Sequence, residues 1–139
     1  MDHALSKPEL RQQKLGRAEF VAQPRTPITV VLDQVTGGYN IGAMFRLCDA
    51  FLVERLIVCG EEVSLRRRST SQAAMGAQHW VPWQQEADAA AVVRAAKAAG
   101  SWVLAVEITA ASVRLAALRP RFPLVLVLAA SGPACRRAC

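Results

Sequence analysis

From Ile28 onward the chain alternates between short β-branched apolar runs and stretches of helical period. Ile28-Thr-Val-Val-Leu32 is bounded by Pro27 and by Gly37-Gly38, the punctuation of a buried strand. Ile41, Met44, Phe45, Cys48 and Leu52 then recur at i, i+3, i+4 and i+7 spacing, and Asn40 stands where an N-cap belongs, which predicts a helix. Residues 55–59 form a second apolar strand ending at Gly60, and residues 81–83 a short third one. Residues 86–99 are Ala-rich, with Glu86 and Asp88 first, Arg94 and Lys97 later, and Gly100 just beyond. That order suits a helix dipole and a glycine C-cap. Strands at 102–106 and 124–128 follow, with a short helix predicted over 111–118. Strands alternating with helices imply an α/β fold: a parallel sheet covered on both faces.

The first 27 residues break this rhythm. They are polar and basic, carry only Leu10, Leu15 and Phe20 as spaced apolar positions, and fit a short helix or a mobile arm. Hence the expected organisation is a basic arm over 1–27, an α/β domain over 28–128 and a divergent tail over 129–139. With 139 residues there is room for one domain. The 17 Lys and Arg against 11 Asp and Glu give a net charge of +6, which points to a polyanion, most simply a nucleic acid. No apolar run approaches the roughly 20 residues of a membrane span. The N-terminus has no apolar signal segment, so a cytoplasmic protein is expected. Cys48 and Cys59 fall in core patterns, and Cys135 and Cys139 lack the spacing and His partners of a zinc site, so neither a disulfide framework nor a metal is expected.

Ligands of open α/β sheets bind at the carboxyl ends of strands, which directs attention to Asp33 through Arg46. Gly37 and Gly42 have the spacing of a phosphate loop, but Ala43-Met44 stands where Lys-Ser/Thr should follow, and no G-x-G-x-x-G occurs. Gly42 lies one turn before Arg46, so the guanidinium is expected to pass over it toward Asn40 and the amides at the helix start. Such a group of donors suits a phosphate or a developing alkoxide. The competing reading is a surface Arg46–Asp49 pair with Asn40 as an ordinary cap. Arg66, Arg67 and Arg68, beside Ser69, Thr70 and Ser71, form either a solvated connection or a grip on an RNA backbone. His79 has no Ser or Cys at triad spacing and reads as a surface residue, and Trp80 and Trp83 read as packing residues.

Taken together these segments resemble a known family. Leu32-Asp-Gln-Val35, Asn40-Ile-Gly-Ala-Met-Phe-Arg46 and Asp49-Ala-Phe51 look like the first motif of the SpoU (TrmH-like) branch of the SPOUT RNA methyltransferases. Ser69-Thr-Ser-Gln-Ala-Ala-Met-Gly-Ala77 with Trp80-Val-Pro82 resembles the second conserved stretch, and Phe122 to Leu128 resembles the strand entering the next motif. The resemblance runs in order from Ile28 to Leu128. It implies a parallel-sheet SPOUT-like fold ending in an α/β knot, and methyl transfer from S-adenosyl-L-methionine to a ribose 2′-hydroxyl of tRNA or rRNA, usually by a homodimer. It assigns Asn40 and Arg46 to the catalytic site; Arg66, Arg67, Arg68, Ser69 and Ser71 stay candidate RNA contacts on the strength of the basic segment itself. Arginine is a poor proton acceptor, so Arg46 is expected to stabilise the oxyanion rather than act as the base.

After Leu128 the sequence departs from the family, where a Gly-Asn/Ser-Glu-x-x-Gly segment and a cofactor-wrapping third motif are expected. Here Ala129 to Cys139 carries neither, so the knot segment and most cofactor contacts are expected to be missing. One added G ahead of the Ala129 codon permits Gly-Ser-Glu-Arg-Ala-Cys-Val-Pro-Pro-Arg-Val, so a frameshift would account for the tail. Two functions follow: a 2′-O-methyltransferase by descent that is inactive or impaired in this chain, or a noncatalytic RNA-binding remnant.

Overall fold

A computed structural model describes residues 4–130; residues 131–139, with Cys135, Cys139 and most of the divergent tail, lie outside the described residues. Five strands form one sheet: β1 (Thr26–Asp33), β2 (Val53–Cys59), β3 (Trp83–Glu86), β4 (Trp102–Ala105) and β5 (Leu124–Ala129). Their order across the sheet is β3-β2-β1-β5-β4, and every pairing is parallel. The chain thus starts in the middle, steps outward through β2 to β3, crosses to the opposite edge at β4 and returns beside β1. The reversal of direction falls between β1 and β5. Their carboxyl ends are joined by the Ala130 amide donating to the Asp33 carbonyl at 3.0 Å.

Alternation along the strands divides the core. Val30, Leu32, Leu56 and Val58 face one layer, built from α3 (Gly38–Ala50), α4 (Arg68–Ala74) and a 3-10 turn at Ala77–His79. Phe45 is the largest fully buried side chain in this layer and stands edge-on to Trp83 at 5.7 Å. Val31, Ile57, Cys59, Val125 and Val127 face the other way, against Ala89 and Val93 of α5 (Ala89–Ala98). The expected parallel sheet covered on both faces is the fold observed.

Several boundaries differ from the sequence-based expectation, each for a local reason. The first helix starts at Gly38 with Gly37 as its cap, so Asn40 sits inside its first turn. Residues 66–71 are not wholly a connection, because α4 begins at Arg68. The third strand lies at Trp83–Glu86 rather than 81–83, set by the pairing of Leu56 with Trp83. The α5 helix starts at Ala89, where the Asp88 carboxylate accepts the Ala90 amide at 2.9 Å. It ends as foreseen, with Gly100 at φ +84° in the left-handed region. Only residues 115–117 of the predicted 111–118 helix coil, as a 3-10 turn with no buried residue.

The N-terminal arm is folded into α1 (Lys7–Gln12) and α2 (Arg17–Ala22). In each, the third-position glutamate takes the amide before the helix: Ser6 to Glu9 at 2.7 Å and Gly16 to Glu19 at 2.8 Å. The arm docks on the domain by Phe20, which meets Trp80 edge-on at 5.1 Å.

Candidate functional site

The carboxyl end of β1 leads through a four-residue turn into α3, and no side chain caps that helix. The amides of Gly38, Tyr39 and Asn40 therefore point outward unpaired within the helix, at its positive end. Asn40 and Tyr39 are both exposed there.

What holds α3 in place is a close approach to α4. A methyl group at Gly38 would lie 2.5 Å from Ser69 Oγ and 2.6 Å from Thr70 Oγ1. One at Gly42 would lie 2.5 Å from the Thr70 carbonyl oxygen, 2.7 Å from Ala73 Cβ and 2.8 Å from the Ala74 amide nitrogen. Gly42 therefore admits the backbone of α4, which corrects the expectation that it clears a path for Arg46. The space over it is filled.

The Arg46 side chain emerges instead beyond the end of α4. It is exposed, and among the described residues it makes no ion pair or hydrogen bond, so the alternative of an Arg46–Asp49 surface pair is not what forms. It borders an open basin of about 520 Å³ with Lys14, Phe20, Asp49, Met75 and Trp80. Six residues of helix separate it from Asn40, about 9 Å along the axis and roughly 120° around it. The two lie on adjoining surfaces of α3.

The basic segment is brought to the other flank of the α3 start. Arg67 precedes α4 and, with Thr36, Gly38, Ser64 and Thr70, lines a cleft of about 40 Å³, room for a water but not for a phosphate. Glu61 and Glu62 border the same cleft. Arg66, Arg68 and Ser69 are exposed, whereas the Ser71 hydroxyl is engaged, donating to the Arg68 carbonyl at 3.2 Å. Thr70 is 1% exposed and its hydroxyl has no partner among the described residues, a buried polar group that the sequence showed only as one of three neighbouring hydroxyls.

Asp33 is a second group whose importance sequence reasoning passed over. It ends β1 and is 8% exposed. Burial, followed by the nearby Asp88 charge, pushes its carboxyl above the ordinary range. Its place at the carboxyl end of a central strand was the available signal. Cys59, paired with Asp33 across the sheet, is pushed up to about 11 mainly by burial.

On the far side of the seam, the ends of β4 and β5 border an apolar depression of about 440 Å³, lined by Leu104, Val106, Leu115, Leu118 and Leu126 with the hydroxyls of Thr109 and Ser112 nearby. That size falls within the roughly 300–1,000 Å³ range of small-ligand pockets. Among the described residues no group of His, Cys, Asp and Glu side chains could hold a metal ion, and no helix is long and apolar enough to cross a membrane.

The chain is 31% identical over 121 residues to the 23S rRNA (guanosine-2'-O-)-methyltransferase RlmB of Vibrio parahaemolyticus, covering 86% of this chain and 48% of that one. It is 29% identical to the protein of the same name from Photorhabdus laumondii, over 94% of this chain and 53% of the relative. The chain thus spans about half the length of the relatives it matches. Among solved structures, an rRNA methyltransferase from Sinorhizobium meliloti superposes with a TM-score of 0.65 at 28% identity, over 78% of this chain and 42% of that one. The fold is shared with the A. aeolicus TrmH/SpoU tRNA modifying enzyme at a TM-score of 0.72 and 22% identity, over 84% and 61% of the two chains. The motifs of α3 and α4 and all five strands, save Thr26 at the start of β1, lie within residues 27–129, the span matched by the profile of the SpoU rRNA Methylase family, and the chain belongs to that family.

Proposed function

We propose that this chain carries the RNA-facing part of a cytoplasmic, S-adenosyl-L-methionine-dependent ribose 2′-O-methyltransferase acting on rRNA or tRNA. The observation that carries the reading is Arg46: an exposed guanidinium, without a partner among the described residues, on the helix that follows β1, inside the family segment. A planar fork of donors left free suits a phosphate or a developing ribose oxyanion. Asn40 and the uncapped amides of α3 add neutral donors at the strand end, and Arg66, Arg67, Arg68 and Ser69 extend the positive surface along the RNA. Ser71, tied to the Arg68 carbonyl, acts by fixing the start of α4.

The rRNA methyltransferase from Sinorhizobium meliloti has been solved with AdoMet bound. The apolar wall of Leu104, Val106, Leu115 and Leu126 fits the adenine of that molecule, while the Thr109 and Ser112 hydroxyls, bonded to each other at 3.1 Å and through Ser112 to the Glu107 carbonyl at 2.9 Å, hold the rim in shape. When bound, the sulfonium supplies the methyl electrophile. The chain's own task is to align the 2′-oxygen and lower the energy of its anionic form. A guanidinium cannot take the hydroxyl proton at neutral pH, so Arg46 stabilises the oxyanion while the proton passes to solvent.

The names of the relatives make a 23S rRNA guanosine the first substrate to test. The assay is transfer of labelled methyl from S-adenosyl-L-methionine to unmodified 23S rRNA and to total tRNA, followed by nuclease digestion to locate the label. Label in 2′-O-methyl nucleotides, reduced by about 10²–10³ in Arg46→Gln, is the expected result. Label on a base would overturn it, as would neither transfer nor RNA binding. Salt-sensitive RNA binding without transfer would favour a noncatalytic RNA-binding protein.

A further inference from the structure

The basin beside Arg46 is built partly from outside the family segment. Lys14 and Phe20 come from the arm, Arg46 and Asp49 from α3, and Met75 and Trp80 from the end of α4 and the turn after it. Four observations show how it is equipped. First, the arm's acids among the described residues are engaged locally: Glu19 accepts the Gly16 amide and Glu9 that of Ser6. Second, two of its bases tie the arm to the domain and a third is left to the basin. Arg17 lies over the Trp80 ring at 5.4 Å and donates to the His79 carbonyl at 3.2 Å. Arg25 lies over Phe20 at 5.3 Å and donates to the Val53 carbonyl at 3.1 Å, whereas the Lys14 ammonium has no partner among the described residues.

Third, Trp80 keeps 36% of its surface open despite contacts with Phe20 and Arg17, so it is a wall of the basin as well as a packing residue. Fourth, Met75 sits at φ +49° and ψ +36°, left-handed backbone that a glycine would occupy at lower cost, and is 73% exposed at the rim. A soft, apolar side chain is thus held outward where nothing in the fold requires it. Asp49 is the single acid of the lining, against Lys14 and Arg46.

Resting on the RNA reading above, we propose that this basin is a subsite for one unpaired nucleotide of the RNA, created by docking of the N-terminal arm. The base lies against Trp80 and Met75, and its phosphate bridges Lys14 and Arg46. Aromatic and apolar walls favour a base taken out of its stack, while two cations from different elements favour the phosphate attached to it. The arm then confers a preference for single-stranded or looped RNA that residues 27–129 would lack alone.

The test is fluorescence anisotropy of the full 139-residue chain with a labelled single-stranded RNA of about a dozen nucleotides, and with the same strand in a duplex, across a salt series. Tighter binding of the single strand is expected. Lys14→Gln should reduce the salt slope by about 0.7, the contribution of one phosphate contact to a single strand. Met75→Gln, which leaves the arm's contacts intact, should weaken single-strand binding several-fold with the slope unchanged. Trp80→Leu should do the same more strongly, with circular dichroism confirming the fold. Wild-type affinity and slope in Lys14→Gln and Met75→Gln, beside weakened binding in Arg46→Gln, would place the RNA elsewhere and overturn the subsite alone. A shift from dimer to monomer in these variants with RNA binding unchanged would make the basin a self-association face instead. Failure of the wild-type chain to bind any RNA would overturn the RNA reading itself, and the subsite with it.

Discussion

Replacing Gly42 with alanine tests the geometry on which the site depends. Two effects compete. Alanine is better than glycine in a helix interior by about 1 kcal/mol, so on an open face the substitution would stabilise α3. Here the added methyl would meet the Thr70 carbonyl oxygen at 2.5 Å, Ala73 Cβ at 2.7 Å and the Ala74 amide nitrogen at 2.8 Å. Two of these three atoms are backbone, which cannot swing aside as the end of a flexible side chain would. Relief therefore requires α4 to retreat bodily, and overpacking of this kind costs about 1–3 kcal/mol or more. The clash wins, and a net loss of about 1–2 kcal/mol is expected, a fall in Tm of roughly 3–10 °C for a domain of this size. Thermal unfolding followed by circular dichroism measures it. Gly37→Ala is the control: its methyl would meet nothing nearer than 3.5 Å and its φ is −69°, so only a cap preference below about 1 kcal/mol is at stake. A Gly42→Ala chain as stable as the wild type, or more so, would refute the close crossing of α3 and α4.

Asp33→Asn should raise Tm at pH 7 and leave it unchanged near pH 3. The buried carboxyl has a folded pKa above its unfolded one, so the stability it permits is present below the unfolded pKa of 3.8 and is lost as pH rises through the folded value; equal shifts at both pH values would contradict this. Cys48, pushed by burial to about 12, and Cys59, to about 11, should resist alkylation at pH 8 in the native chain and react after denaturation, as read by peptide mass mapping. Both are also raised by folding, so stability should fall as pH climbs from about 9 towards 11–12. Asp88→Ala removes the side chain that accepts the Ala90 amide and should cost about 1 kcal/mol in chemical denaturation; no loss would mean that the cap contributes nothing to α5.

Periodicity made the sheet legible. Runs such as Val30 to Leu32 and Leu124 to Leu128 sit between layers on both sides and are apolar throughout, and the spacing of Ile41, Phe45 and Cys48 is that of one buried helix face. What escaped was set by contacts distant in sequence. The Arg68–Ala74 segment opens on Ser69, Thr70 and Ser71, whose hydroxyls compete with the helix, and at seven residues it is too short to coil alone; it is held where it lies on Gly38 and Gly42. The same contact moves the start of α3 to Gly38 and displaces Asn40 from the cap. Conversely, within the predicted 111–118 helix Val113 and Leu115 are 64% and 83% exposed, with no layer among the described residues to bury them. In the site, the motifs at Asn40 and Arg46 could be read from residue order, but their placement on adjoining surfaces could not. Nor does a lone Phe20 in a polar arm announce that it will meet Trp80 and complete a basin around Arg46.

The central place of β1 also orders events in time. Of the five strands it is the first to leave the ribosome, yet Ile28 takes its position beside Leu124, and nearly the whole described chain must be made before that ladder can close. The strands β3, β2 and β1 with α3 and α4 are complete much earlier, and until β5 arrives one edge of β1 exposes its amides and carbonyls to any other extended chain. Parallel pairings over such separations close large loops before their contacts repay the entropy, so this step is slow. The seam where the strand order reverses is therefore where a nascent chain is most exposed to misassembly, and destabilising β5 should appear first as aggregation during synthesis rather than as a lowered melting temperature.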